Sequence, residues 1–141
     1  VISGMALTPT VYNEVLMDSE YEITIYPSKT YYMNLEKYRI QGNTDDIEAM
    51  PQAIFCILNT ERAKYLAYSN NYGVELEELF GMPTSYCIPE IERRIREALT
   101  WDSRIDAVDN FEFEVTKNQI YTRFTAHTIF GDIDAERTVR I

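Results

Sequence analysis

The chain is poor in the residues from which catalytic and metal centres are usually assembled. Its 141 residues include one histidine, two cysteines and one tryptophan. With His127 alone, neither an H-E-x-x-H zinc helix nor a Cys/His ligand cluster can be built. There is no G-x-x-x-x-G-K-[ST] or G-x-G-x-x-G phosphate loop and no G-x-S-x-G nucleophile turn. No metal and no cofactor are therefore expected. Cys56 and Cys87 stand 31 positions apart, outside any C-x-x-C pair. Cys56 lies within Ala53-Ile54-Phe55-Cys56-Ile57-Leu58, where a thiol behaves as a small apolar group. Both cysteines are expected to be reduced, in a cytosolic product. That six-residue stretch is the longest uninterrupted apolar run, far short of the ~20 residues that span a bilayer. The N-terminus carries no secretory pattern.

Basic residues are also scarce. Thirteen of them face 23 acidic ones, for a net charge of −10. Such a surface disfavours nucleic acid and anionic membrane as partners. It suits solubility, and it suits docking onto basic protein patches.

What is present describes a folded chain. Hydrophobic residues make up 45% of the sequence, enough for a chain of this size to bury roughly two thirds of its unfolded surface. Val1-Ile2-Ser3-Gly4 precede Met5 and are set aside. Residues 1–20 are expected to form an extended arm, and 21–141 a single α+β domain. Tyr21, Ile23 and Ile25 alternate as in a short strand before Pro27. Thr30 to Asn34 and Tyr38 to Gln41 read as two strands closed by Gly42-Asn43. Thr44-Asp45-Asp46 signals a helix start. Ile47, Met50, Ile54 and Leu58 follow at helical spacing. Pro51 argues that this helix becomes regular only near residue 50. Residues 61–72 read as an aromatic loop, and Val74 to Phe80 as a short helix stopped by Gly81 and Pro83. Ile88 to Trp101 is the clearest helix, with Pro89 in its first turn. It carries Glu90 with Arg94, and Glu92 with Arg96, as i,i+4 pairs. A C-terminal antiparallel meander follows, with turns at Lys117-Asn118 and Gly131-Asp132. Its inner face is Phe111, Phe113, Val115, Ile120, Phe124, Ala126 and Phe130, then Ala135, Val139 and Ile141, and the helices are its natural cover.

Three groups of residues invite a functional reading. Glu75, Glu77 and Glu78 could supply a glycosidase carboxylate pair, but they flank Val74, Leu76 and Leu79 as a solvated face does. Eleven tyrosines fit interface anchors as well as they fit half-buried strands, while a single tryptophan weakens carbohydrate stacking. Trp101-Asp102-Ser103-Arg104-Ile105 ends the long helix. Arg104 there either presents its fork of donors to a partner carboxylate or caps internally through Asp102 or Asp106. His127 falls with Tyr121, Arg123 and Thr125 on the outer face of a strand.

Several strings, in order, carry a resemblance. They are Pro27-Ser28-Lys29-Thr30-Tyr31, then Gln52-Ala53-Ile54 through Ile57-Leu58-Asn59-Thr60-Glu61-Arg62. Tyr72-Gly73-Val74-Glu75-Leu76-Glu77-Glu78-Leu79-Phe80-Gly81 and Glu90 through Leu99 follow. Asp102-Ser103-Arg104-Ile105 and His127-Thr128-Ile129-Phe130-Gly131-Asp132 complete the series. Over residues 27–141 the chain resembles the small baseplate-wedge family of contractile phage tails, also called W or lysozyme-like wedge proteins. The likeness is to the branch found in Gram-positive phages and PBSX-like defective prophages. The resemblance implies a small sheet packed against two to three helices, like the sheath domain through which rings interlock by strand exchange. The family's Glu-Pro-Arg motif, which meets the core bundle of larger wedge subunits, falls on Asp102, Ser103 and Arg104, with the proline lost.

The resemblance also implies a structural, non-enzymatic subunit that joins the wedge core to the first sheath ring. Its partners would be the larger wedge subunits and the tail sheath protein, with hub and tube proteins as further neighbours. It would be found in the bacterial cytoplasm during assembly and then in the baseplate. The C-terminal strand, with Ala135, Arg137, Val139 and Ile141, is the expected sheath-docking element. The rivals are a muramidase-like hydrolase and an acidic adaptor unrelated to tails.

Overall fold

A computed structural model describes residues 28–141. The expected arm over 1–20 and the strand around Tyr21, Ile23 and Ile25 lie outside the described residues. The elements run β1 (Thr30–Asn34), β2 (Arg39–Thr44), α1 (Asp46–Leu58), a 3-10 turn (Glu77–Leu79), α2 (Thr84–Thr100), β3 (Ile105–Val115), β4 (Gln119–Thr128) and β5 (Gly131–Arg140). β1 and β2 form an antiparallel hairpin, and β3-β4-β5 form an antiparallel meander in that order. This is the α+β arrangement, with a C-terminal meander covered by helices.

Both helices begin earlier than their prolines suggest. Asp45 caps α1, its carboxylate accepting from the Asp46 amide at 2.8 Å. Pro51 and Pro89 are each the sixth residue of their helix. A proline there removes one N–H from the ladder, so each helix loses a single bond and continues. The two inner faces meet: Met50, Ile54 and Leu58 on α1, and Cys87, Ile91 and Ile95 on α2, are all buried. Glu90–Arg94 and Glu92–Arg96 pair along α2 at 3.0 and 2.7 Å, the first of them largely covered, with Arg94 also donating to the Glu75 carbonyl at 2.7 Å. Cys56 and Cys87 are free thiols, and burial pushes the pKa of both up.

The expected helix over 74–80 is replaced by extended chain and a 3-10 turn. Val74 forms a parallel bridge with Glu61, and the Glu61 carboxylate accepts from the amides of Leu76 and Glu77, both at 3.2 Å. Glu61 thereby caps the start of the 3-10 turn. Gly73, at φ +98, permits the close approach: a Cβ there would meet the Thr60 carbonyl at 2.5 Å. Gly42-Asn43, expected to close the first hairpin, instead continue β2 to Thr44.

β3 reaches its inner face through two bulges. Ile105, Val108 and Phe111 are three apart, a spacing that strict alternation would scatter across both faces. The register shifts between Ile105 and Ala107, and again between Asp109 and Glu112. Each extra residue turns the next apolar side chain inward, and Asn110 takes up the second bulge at φ +54. Phe111 then stacks on Phe124 at 5.4 Å. The β4–β5 turn is Ile129-Phe130, since Thr128 already pairs with Gly131. Gly131-Asp132 therefore open β5 and do not form the turn.

Candidate protein-docking site

The segment Asp102-Ser103-Arg104 forms the corner between α2 and β3. Arg104 closes a fork on Asp102, Nε to Oδ1 at 2.9 Å and Nη2 to Oδ2 at 2.6 Å, and its own amide reaches Oδ1 at 3.0 Å. The side chains are 21% and 15% exposed. Burial pushes the Asp102 carboxyl up, but the hydrogen bonds and charge of Arg104 outweigh it and leave the pKa below the usual value. The internal pairing is therefore made, and Ser103 is the exposed member of the three. The Arg104 carbonyl accepts from the Ile129 amide at 2.9 Å, which ties the corner to the tip of the β4–β5 hairpin.

The β5 residues from Ile133 to Glu136 border a different hollow from the one beside that corner. Arg104 borders a hollow with Ala49, Gln52, Ala53 and Cys56, whereas β5 meets Pro51, Ile54, Phe55 and Leu58. On a helix these two sets lie on opposite faces. Val139 is buried in the core, and Ala135 and Ile141 pack against it. Their side chains hold this protein's own fold together. Arg137 shares their inward face, but its Nη1 donates to Asn59 Oδ1 at 2.6 Å. Its Nε is shut off from solvent and has no acceptor among the described residues.

The main chain of β5 is the other resource. The Ile141 amide donates to the Asn118 carbonyl at 3.0 Å, so odd-numbered residues face β4. By alternation the amides of Asp134, Glu136, Thr138 and Arg140 point away from it. Among the described residues no strand pairs with that edge. Along it runs a trough in two parts. Near residues 133–136 it holds about 190 Å³ beside Pro51 and Phe55. Near 137–140 it widens to about 520 Å³ between Tyr65 and Phe80. Leu58 and Asn59 border both parts.

His127 bridges all three strands, Nδ1 to Asp132 and Nε2 to Asp109, both at 2.7 Å. The two carboxylates, Asp132 foremost, hold its pKa above the ordinary histidine value. The partnership with Asp132 was readable once the turn is placed at Ile129-Phe130; Asp109 arrives through a bulge and left no signal. No group of three or more such side chains suited to a metal occurs among the described residues. Glu75, Glu77 and Glu78 are spent on ion pairs with Arg62 (3.9 Å), Lys64 (2.5 Å) and Arg94 (3.2 Å). No helix among the described residues is long and apolar enough to cross a membrane.

Residues 29–131 match the family described as the contractile injection system sheath initiator. Phage-like element PBSX protein XkdS of Bacillus subtilis (strain 168) is 35% identical over 140 residues, covering 96% of this chain and 97% of that protein.

Proposed function

Because the chain belongs to the contractile injection system sheath-initiator family, with a structural part in starting the sheath, we propose that it links the baseplate wedge to the first sheath ring. The observation that carries this reading is the outer edge of β5, which no strand among the described residues pairs with and whose outward amides lie beside a trough. An added strand gains affinity from main-chain bonds and register from side-chain pockets. The sheath protein supplies that strand. The corner at Asp102, Ser103 and Arg104 meets the larger wedge subunits, presenting its closed fork together with exposed Ser103 and Trp101. Hub and tube proteins are further neighbours. Assembly proceeds in the bacterial cytoplasm and ends in the baseplate, and the subunit performs no catalysis, in keeping with its ion-paired glutamates.

Thr138→Pro tests the edge. It deletes one outward amide and leaves the ladder to β4 intact. The expected product is a folded subunit incorporated into baseplates whose tubes carry no sheath by electron microscopy. Normal sheathed tails would overturn the assignment. Ser103→Arg should instead prevent co-purification with the wedge subunits at an unchanged melting temperature, and retained co-purification would remove the corner from the interface. Clearing of peptidoglycan by the purified protein would defeat the non-catalytic reading.

A further inference from the structure

A strand laid along β5 shares faces with it residue by residue. Partners opposite Ala135, Arg137 and Val139 would point into the trough, and partners opposite Asp134 and Glu136 would lie on the outer face. The trough wall is apolar at Pro51, Ile54 and Phe55. The outer face is acidic: Asp109, Glu112 and Glu114 on β3 and Asp132, Asp134 and Glu136 on β5 flank β4.

Within the trough Arg137 is the exception. A guanidinium carries five N–H donors, and among the described residues Asn59 is its one hydrogen-bond acceptor. Two carboxylates also line the space, but both are engaged. Glu61 accepts from the Leu76 and Glu77 amides, and Glu77 pairs with Lys64. Arg140, at the far end of the trough, has no side-chain partner among the described residues.

We propose that the trough selects a partner strand bearing one inward carboxylate, which docks on Arg137, with apolar residues as its other inward positions and basic residues facing outward. This rests on the strand-addition reading above and adds the chemistry of the partner. An arginine left short of acceptors in a partly enclosed site gains most from a planar anion that matches its fork. Burial lowers the Arg137 pKa from its usual value, with Glu61 opposing in part, as expected of a cation not yet fully compensated.

Short synthetic peptides test the proposal on the full chain. One peptide alternates valine and lysine with a central inward glutamate, and a second carries glutamine there. Fluorescence anisotropy gives affinities, and hydrogen exchange follows the outward β5 amides. The glutamate peptide should bind about tenfold more tightly or better, the scale of one charge-assisted hydrogen bond. Arg137→Met should erase that preference and Arg137→Lys should keep part of it. The two peptides compared on the unsubstituted chain decide the matter even if the methionine variant does not fold. Equal affinities with β5 amides protected would overturn the anchor and leave strand addition standing. No protection by either peptide would overturn both. Outward β5 amides already protected in the full chain alone would show the trough filled by the chain itself, which also overturns the proposal.

Discussion

The two sheets among the described residues are both antiparallel, yet they are attached to the protein by different means. The meander is held by burial. Phe124, 1% exposed, sits at its centre against Phe111 and the helices. The β1–β2 hairpin is held mainly by one side chain. The Gln52 amide donates to the Tyr31 carbonyl at 2.8 Å and accepts from the Met33 amide at 2.9 Å, so a glutamine on α1 stands in for a neighbouring strand. Only Thr44 of the hairpin strands is buried, while Tyr31, Tyr38 and Ile40 face solvent, Tyr38 being 93% exposed. Secondary structure alone therefore says little about anchorage. One sheet is built into the core, and among the described residues the other is tied to α1 by the two hydrogen bonds of Gln52.

Phe124→Ala should have the largest effect. Removing a fully buried aromatic costs about 3–5 kcal/mol, read as a lower denaturation midpoint with melting lowered throughout. A loss under about 1 kcal/mol would mean that the meander is not the main support. Gln52→Ala sharpens the contrast. It deletes two hydrogen bonds worth about 1 kcal/mol each. Exchange of β1 amides should accelerate while β4 amides keep their rate. Equal acceleration in both sheets would place the hairpin inside the cooperative unit. The smallest effect concerns His127, which ties the meander strands together on their wet side. Its folded pKa is raised, so its contribution is full below the unfolded value of about 6.5. That contribution is lost as the pH rises through the folded value. The melting advantage over His127→Gln should be present at about pH 5 and gone at about pH 9. An advantage that grows with pH would contradict the bridge.

Burial patterns made much of the fold legible. The helical spacing of Met50, Ile54 and Leu58, and the faces of α2 and β4, need only the periods of helix and strand. Local chemistry was harder to weigh. A proline at the sixth helical position costs one bond, which the buried faces of α1 and α2 outweigh. The expected helix over 74–80 is shortened because the Val74 carbonyl and amide are taken by the Arg62 amide and the Thr60 carbonyl, partners distant in sequence. The tyrosines divide: Tyr72 packs against the core and stacks on Tyr68 at 4.7 Å, while Tyr31 and Tyr38 are exposed. Composition alone could not assign them. At the corner, Asp102 and Arg104 are two residues apart, so their fork was within reach of the sequence. The Arg137–Asn59 contact joins residues 78 positions apart and was not.

The bulges of β3 bear on growth as well as on packing. A strand that joins a sheet must keep step with its host, and β3 breaks step twice, between Ile105 and Ala107 and between Asp109 and Glu112. β5 matches β4 without interruption from Gly131 to Arg140. The meander thus has one margin fit for continuation and one that spoils any regular neighbour. Under the strand-addition proposal, a partner strand would find a regular host at the β5 margin and an irregular one at the β3 margin, so one sheet would already distinguish the two sides of the subunit.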